Sequence, residues 1–133
     1  MGLHTWFLKN KELYLKQEVL FKELDKHESG EIYLDNFELR QIELEINEIN
    51  EQNEAEYHDV FRTTKRNEDG TYTNDVIFSE KECNQWLKDN AEHVYFRDSV
   101  FDTYEEVAVK KAHKLKRLKE FWKKYPEGVI YFG

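Results

Sequence analysis

The sequence predicts an α+β fold: a single compact domain, residues 1–133, with about four helices and a small sheet that includes the N- and C-terminal strands. Three observations support this prediction. A chain of 133 residues has the length of one domain. Three Trp, eight Tyr and nine Phe can build a core, although only 39% of the residues are hydrophobic. Helix caps and apolar residues at helical spacing mark four segments, and a short apolar run of strand type lies at each end.

A strand and then a helix are predicted at the N-terminus. Gly2–Lys9 (GLHTWFLK) is apolar on both faces, which is typical of a central strand covered on both sides. Asn10 is a suitable cap for a helix over roughly residues 11–27, and Gly30 is placed to end it with a positive φ. This helix has two apolar rows on nearly opposite sides: Leu13, Leu20, Phe21 and Leu24 form the first, and Leu15 and Val19 the second.

Residues 28–59 hold most of the negative charge of the chain and also its clearest amphipathic helix. They contain eleven acidic side chains and one basic side chain, Arg40, so their net charge is −10. Asp35, with Glu38 three residues later, resembles a capping box and starts the helix. A buried seam follows at spacings of three, four and three residues: Leu39, Ile42, Ile46 and Ile49.

The side of this helix opposite the seam combines apolar and acidic residues. Phe37 and Leu44 fall near that side, and Glu43, Glu51 and Glu54 fall well off the seam. Either another part of the chain or a partner must cover Phe37 and Leu44, and we favour the chain.

The middle of the chain predicts a β-hairpin. Tyr57–Thr64 and Tyr72–Phe78 are strand-like and flank an Asp69-Gly70 turn signal. Val94–Phe96 is predicted to be a further short strand.

Two more helices and a final strand complete the predicted fold. Ser79 with Glu82, and Thr103 with Glu106, are capping boxes for helices that run to about residues 90 and 124. Pro126 stops the last helix, and Val129–Phe132 (VIYF) is typical of a buried strand. We expect this strand to lie beside the N-terminal one.

No residue pattern predicts catalytic residues, a cofactor or a metal ion. The five histidines lack helical metal-pair spacing, and the single cysteine, Cys83, has no evident general base beside it. His58-Asp59 is the one adjacent His-Asp pair, and a hydrogen-bonding role at a turn is the simpler interpretation. The alternative is a small-ligand site or minor hydrolase with this pair at its mouth, lined by Trp6, Tyr57, Trp86 and Trp122.

Charge and hydropathy restrict the partners. The net charge of −8 disfavours direct nucleic-acid binding, although residues 110–124 carry eight Lys and Arg against one Glu. The acidic and basic helices either pair within the fold as solvated faces, or one of them is a docking surface. No run is long and apolar enough for a membrane span. The lone cysteine and the lack of a signal peptide predict a cytoplasmic protein.

The opening GLHTWFLKNKELYLK and the ending FWKKYPEGVIYFG resemble the ends of small uncharacterised proteins encoded by tailed bacteriophages of Gram-positive bacteria. The resemblance carries no catalytic residues. It implies the cytoplasm of an infected host as the setting. It also implies that an acidic member binds and blocks a host or defence protein, in some cases by imitating the charge of DNA.

We therefore expect a non-catalytic interaction protein whose acidic helix docks on a basic surface of a host or defence protein. The expected partner-binding residues are Phe37, Glu43, Leu44, Glu48, Glu51 and Glu54. Besides the small-ligand site, a third hypothesis is self-assembly, because the acidic and basic helices are complementary and several helices carry second apolar rows.

Overall fold

Four helices and six short strands form the part of the chain that the computed structural model describes, residues 4–58, 60–72, 75–96 and 101–132. The predicted α+β fold is confirmed. The elements are β1 (Thr5–Leu8), α1 (Lys11–Glu28), α2 (Asn36–Asn53), β2 (Glu54–His58), β3 (Arg62–Thr63), β4 (Val76–Ile77), α3 (Glu80–Asp89), β5 (Val94–Tyr95), α4 (Tyr104–Lys124) and β6 (Val129–Phe132).

The main sheet is antiparallel and brings the two ends of the chain together. Its strand order is β2-β1-β6-β4. β1 and β6 pair in register from Thr5 opposite Phe132 to Leu8 opposite Val129. The predicted pairing of the terminal strands and the central place of the first strand are both confirmed. The inner face of this sheet is the one that α3 and α4 cover.

An aromatic core fills the space between the inner face and the two C-terminal helices. Phe7 of β1 meets Phe121 of α4 edge to face, with ring centroids 4.8 Å apart. Trp86 of α3 packs on Phe132 of β6 at 4.9 Å. Such ring pairs contribute beyond the area they bury, which explains how a chain of low apolar content maintains a core.

The predicted hairpin between residues 57–64 and 72–78 is wrong except at its tip. Gly70 has a φ of 86°, and Arg66 forms a single bridge with Tyr72. The flanking strands, however, pair elsewhere: β2 with β1, β3 with β5, and β4 with β6. Val60 and Phe61 are 0% and 1% exposed. Their burial in the common core outweighs the local pairing that the turn favours.

The helices α1 and α2 form a helical hairpin with a small core of its own. That core consists of Leu20, Ile42, Ile46 and Ile49, with Leu13, Leu24 and Leu34 beside them. α1 ends in a Schellman motif, in which Gly30 has a φ of 82° and Glu31 N–H donates to the Lys26 carbonyl at 2.9 Å. Three of the four residues of the predicted seam, Ile42, Ile46 and Ile49, are confirmed as core, whereas Leu39 is half-buried. The predicted positive φ of Gly30 is also confirmed.

Asn53 joins the root of this helical hairpin to the sheet. The side chain is 1% exposed. Its Oδ1 accepts the Asn10 N–H at 2.8 Å, and its Nδ2 donates to the Asn10 carbonyl at 3.0 Å. Asn10 in turn caps α1, because its Oδ1 accepts the Leu13 N–H at 3.0 Å. One amide therefore connects the β1–α1 junction to the α2–β2 junction.

We predict that Asn53→Ala lowers the free energy of unfolding by about 1–3 kcal/mol, because it leaves the part-buried Asn10 N–H without an acceptor and removes one of the two donors to the Asn10 carbonyl, which keeps the Tyr14 N–H. The measurement is urea unfolding followed by circular dichroism. Asn47→Ala, on the exposed side of the same helix, is the matched control and should change stability by less than about 0.5 kcal/mol. Equal effects of the two substitutions would contradict the role given to Asn53.

Candidate protein-docking surface

The outer side of α2 is exposed. Phe37 is 71% exposed and Leu44 is 44% exposed. Our expectation that the chain itself covers these two residues is therefore wrong. The reason is architectural: α2 buries Ile42, Ile46 and Ile49 against α1, and Phe37 and Leu44 lie on the side of the helix that points away from this contact.

Four of the predicted partner-binding residues share one face of α2. At 100° per residue, Phe37, Leu44, Glu48 and Glu51 lie within about 60° of one another around the helix axis. Glu43 is exposed on the flank, about 100° from Leu44. We call these five residues the acidic row. Glu54 lies outside it, because α2 ends at Asn53 and Glu54 begins β2, opposite Leu8.

The tip of the helical hairpin extends this surface in a way that the sequence did not predict. Tyr33 is 83% exposed and Ile32 is 37% exposed, in the loop that leads to Phe37. The Tyr33 and His27 rings pack edge to face, with their centroids 6.2 Å apart. The loop has no periodicity from which burial can be inferred, so only the structure shows that these residues are exposed.

Acidic and basic side chains meet where the end of α2 lies near α4. Glu51, Glu54 and Glu56 line a polar depression together with Arg117 and Lys124. Arg117 Nη2 donates to the Glu56 carbonyl at 3.5 Å. Within the helical hairpin, Lys16 pairs with Glu45 at 3.1 Å. The acidic helix is thus partly neutralised at its root, where Glu51 lies, and on its α1 side, while Phe37, Leu44 and Glu48 face away from α1.

The outer face of the main sheet carries a groove of about 570 Å³ beside the root of α2. Trp6, Leu8, Asn50, Glu54 and Tyr131 are among its lining residues. Trp6 and Tyr131 are cross-strand partners, and their rings stack with centroids 6.4 Å apart and planes 21° apart. Tyr14 of α1 also stacks with Tyr131, with ring centroids 6.2 Å apart and planes 30° apart.

The small-ligand site proposed from the sequence is not assembled as expected. Trp6 and Tyr57 are both among the residues that line the groove, although the Tyr57 ring packs against the core of the inner face. Trp86 and Trp122, however, belong to the aromatic core against the inner face. Asp59 and the side chain of His58 lie outside the described residues.

Two tyrosines beside the groove have raised pKa values. Burial raises the pKa of Tyr14 to about 12, helped by the Glu18 carboxylate, which accepts a hydrogen bond from its hydroxyl. Burial, then Glu54 and Glu18, raise the pKa of Tyr131. Burial is the larger cause of both shifts, and the nearby carboxylates add to it because negative neighbours disfavour the phenolate.

Cys83 lies in the interior and is no candidate nucleophile at neutral pH. It is 0% exposed, and its burial raises the thiol pKa to about 11 despite an opposing contact with Trp122. The thiol therefore stays protonated and packed.

Among residues 4–58, 60–72, 75–96 and 101–132, no three His, Cys, Asp or Glu side chains converge as a metal site. None of the helices described there has both the length and the apolar character needed to cross a membrane.

Comparison of the chain with protein-family models, with curated proteins and with solved structures finds no match.

We predict that Glu18→Gln lowers the pKa of Tyr14 toward the ordinary value of 10.0. Because the pKa is raised on folding, Tyr14 contributes stability that is complete below pH 10 and is lost as the pH rises through about 12. NMR titration of the Tyr14 ring, identified with Tyr14→Phe, measures the pKa. Glu12→Gln, on an exposed position of α1, is the control. An unchanged Tyr14 pKa in Glu18→Gln would contradict the assigned interaction.

Proposed function

We propose that this chain is a non-catalytic interaction protein that docks through the acidic row of α2 on a basic surface of another protein. The observation that carries the proposal is the exposure of Phe37 and Leu44 on the same face as Glu48 and Glu51. Apolar anchors supply binding energy, and the surrounding charges provide steering and specificity.

The surface is rigid enough for this role. The acidic row stands on a helix of 18 residues that is capped by Asp35, whose Oδ1 accepts the Glu38 N–H at 2.8 Å. The seam on the opposite side fixes its rotation against α1. A partner therefore meets a preformed array of side chains and pays little ordering entropy.

The resemblance of the chain ends to small phage proteins extends the proposal to a class of partner. A host or defence protein with a basic nucleic-acid channel presents the Lys and Arg that an acidic helix requires. In this proposal the acidic row takes the place of phosphates, and the partner is inhibited by occlusion of that channel.

The test is charge reversal with matched net charge. A partner is first isolated from the lysate of a Gram-positive bacterium, identified by mass spectrometry and purified. Its affinity is then measured for the wild type and for the triple variant Glu43→Lys, Glu48→Lys, Glu51→Lys. The reversal puts like charges against a basic surface, so we predict at least about tenfold weaker binding.

A second triple variant separates local docking from general charge. Glu68→Lys, Asp89→Lys and Glu92→Lys change the net charge equally at exposed positions outside α2, and binding should stay close to that of the wild type. Phe37→Ser tests the apolar anchor independently. Wild-type affinity should also fall as salt rises, since the Debye length is only about 10 Å at 0.1 M. Equal loss in both triple variants would contradict docking by this row.

A second candidate function is self-assembly, which one feature of α4 favours. An apolar groove of about 510 Å³ lies between α3 and α4, lined by residues that include Leu87, Val107, Leu115 and Lys111. An apolar groove beside lysines complements Phe37 and Leu44 among carboxylates, so the acidic row of one copy fits the α4 side of another.

Sedimentation at low and high salt tests this second candidate. Self-assembly through these surfaces predicts a mass above that of the monomer at low salt, which falls as salt screens the charges. The triple reversal in the acidic row should return the protein to a monomer, whereas the matched triple variant should not. A monomeric wild type under both conditions would exclude self-assembly.

A further inference from the structure

The groove on the outer face of the main sheet lies directly beside the end of the acidic row. Asn50 of α2 lines it, and Glu51, the last residue of the row, lines the neighbouring polar depression together with Glu54. A partner segment that follows α2 toward its C-terminus therefore reaches this groove. Its chemistry indicates which partner side chain it accepts.

The floor of the groove is aromatic. Trp6 and Tyr131 stack across the two central strands, and Tyr14 continues the row of rings. All three rings are only partly buried, so the row is neither closed off as core nor fully open to solvent. The faces of Trp and Tyr rings attract cations, and a planar guanidinium also stacks on them.

The edge of the groove is acidic. Ala55 and Tyr57 of β2 pack into the core of the inner face, so Glu54 and Glu56 point to the opposite face, where Trp6 lies. Glu54 and Glu56 are the charged residues among those described along the groove. Burial, then Glu54 and Glu18, raise the pKa of Tyr131, in keeping with the place of Glu54 in the lining of the groove.

The same edge strand already holds one guanidinium of the chain itself. Arg117 of α4 lies over the Tyr57 ring, with its Cζ 5.3 Å from the ring centroid. Its Nη2 donates to the Glu56 carbonyl. This arrangement, a guanidinium on a tyrosine face beside an acidic strand, is found where β2 faces α4. On the other face of β2, Trp6 and Glu54 both line the groove.

We propose that the groove takes an arginine side chain of the protein that docks on the acidic row. The guanidinium stacks on the Trp6–Tyr131 floor and donates two hydrogen bonds to the Glu54 carboxylate. Arginine suits the site better than lysine, because a planar fork satisfies an aromatic face and a carboxylate together. This inference rests on the proposed function and assigns the partner an arginine at the position that meets the groove.

The first experiment needs no partner. The ¹⁵N-labelled protein is titrated with the tripeptide acetyl-Gly-Arg-Gly-amide, and the indole N–H resonance of Trp6 is followed, assigned with Trp6→Phe. We expect a saturable shift of Trp6, while Trp86 and Trp122, in the aromatic core, serve as internal references. The citrulline tripeptide, which keeps the shape but lacks the charge, should bind at least about fivefold more weakly.

A conservative substitution connects the shift to the proposed contact. Glu54→Gln should weaken the binding of the arginine peptide at least about threefold, whereas Glu92→Gln should leave it unchanged. The inference is overturned if the Trp6 resonance does not move, if citrulline binds as well as arginine, or if both substitutions act alike.

Binding of the purified partner tests whether the guanidinium belongs to that protein. Glu54→Gln should also weaken binding of the purified partner about threefold or more. A groove that binds the peptide, with partner affinity unaffected by Glu54→Gln, would overturn the assignment to the partner. The proposed function is judged separately by the triple reversal. If that reversal weakens partner binding but the Trp6 resonance does not shift with the arginine peptide, the inference about the groove fails and the proposed function stands.

Discussion

The hydrogen bonds between Asn53 and Asn10 are the constraint on which the rest of the structure depends. They link the β1–α1 connection to the α2–β2 connection. The turn before β6 joins there too, because Lys11 N–H donates to the Glu127 carbonyl at 2.7 Å. Gly128 leaves no space for a side chain, since a Cβ there would lie 2.7 Å from the Phe121 ring. Buried polar groups must find partners, so this junction accepts few substitutions and fixes the helical hairpin against the sheet.

Fixing the helical hairpin at its root leaves the rest of it to a small core of its own. The hairpin is stabilised by a seam in which Ile42, Ile46 and Ile49 face Leu20. Each buried side chain is worth roughly 1.5–3 kcal/mol, enough to hold two capped helices together without cover on their outer sides. The exposure of Phe37 and Leu44 follows from this architecture. It provides a projecting, rigid surface of the kind that partner recognition uses.

The features that were predicted correctly from the sequence are those that local interactions determine. Caps at Asn10, Asp35, Ser79 and Thr103 and the seam spacing defined the helices, and the apolar terminal runs indicated the strands. The wrong predictions concern distant contacts. The Asp69-Gly70 turn is present. Because Val60 and Phe61 are buried in the core, however, the segments on either side of the turn pair with different strands and not with each other. In the sequence Asn53 is one of many polar residues in a polar helix, and its hydrogen-bond partner Asn10 is 43 residues away. The groove likewise needs the strand register that places Trp6 beside Tyr131.

The charge of α2 is largely independent of the fold. Asp35 caps the helix and Glu45 pairs with Lys16, so these two carboxylates serve the structure. Glu43, Glu48 and Glu51 are exposed, and like charges one helical turn apart, such as Glu48 and Glu51, destabilise a helix slightly. Glu51 lies near Arg117 and Lys124, so the pattern of a local cost without a structural gain, which is expected of residues that serve a partner, applies to Glu43 and Glu48. The same independence makes charge reversal informative, because the seam and the Asn53 junction remain intact while the surface changes sign.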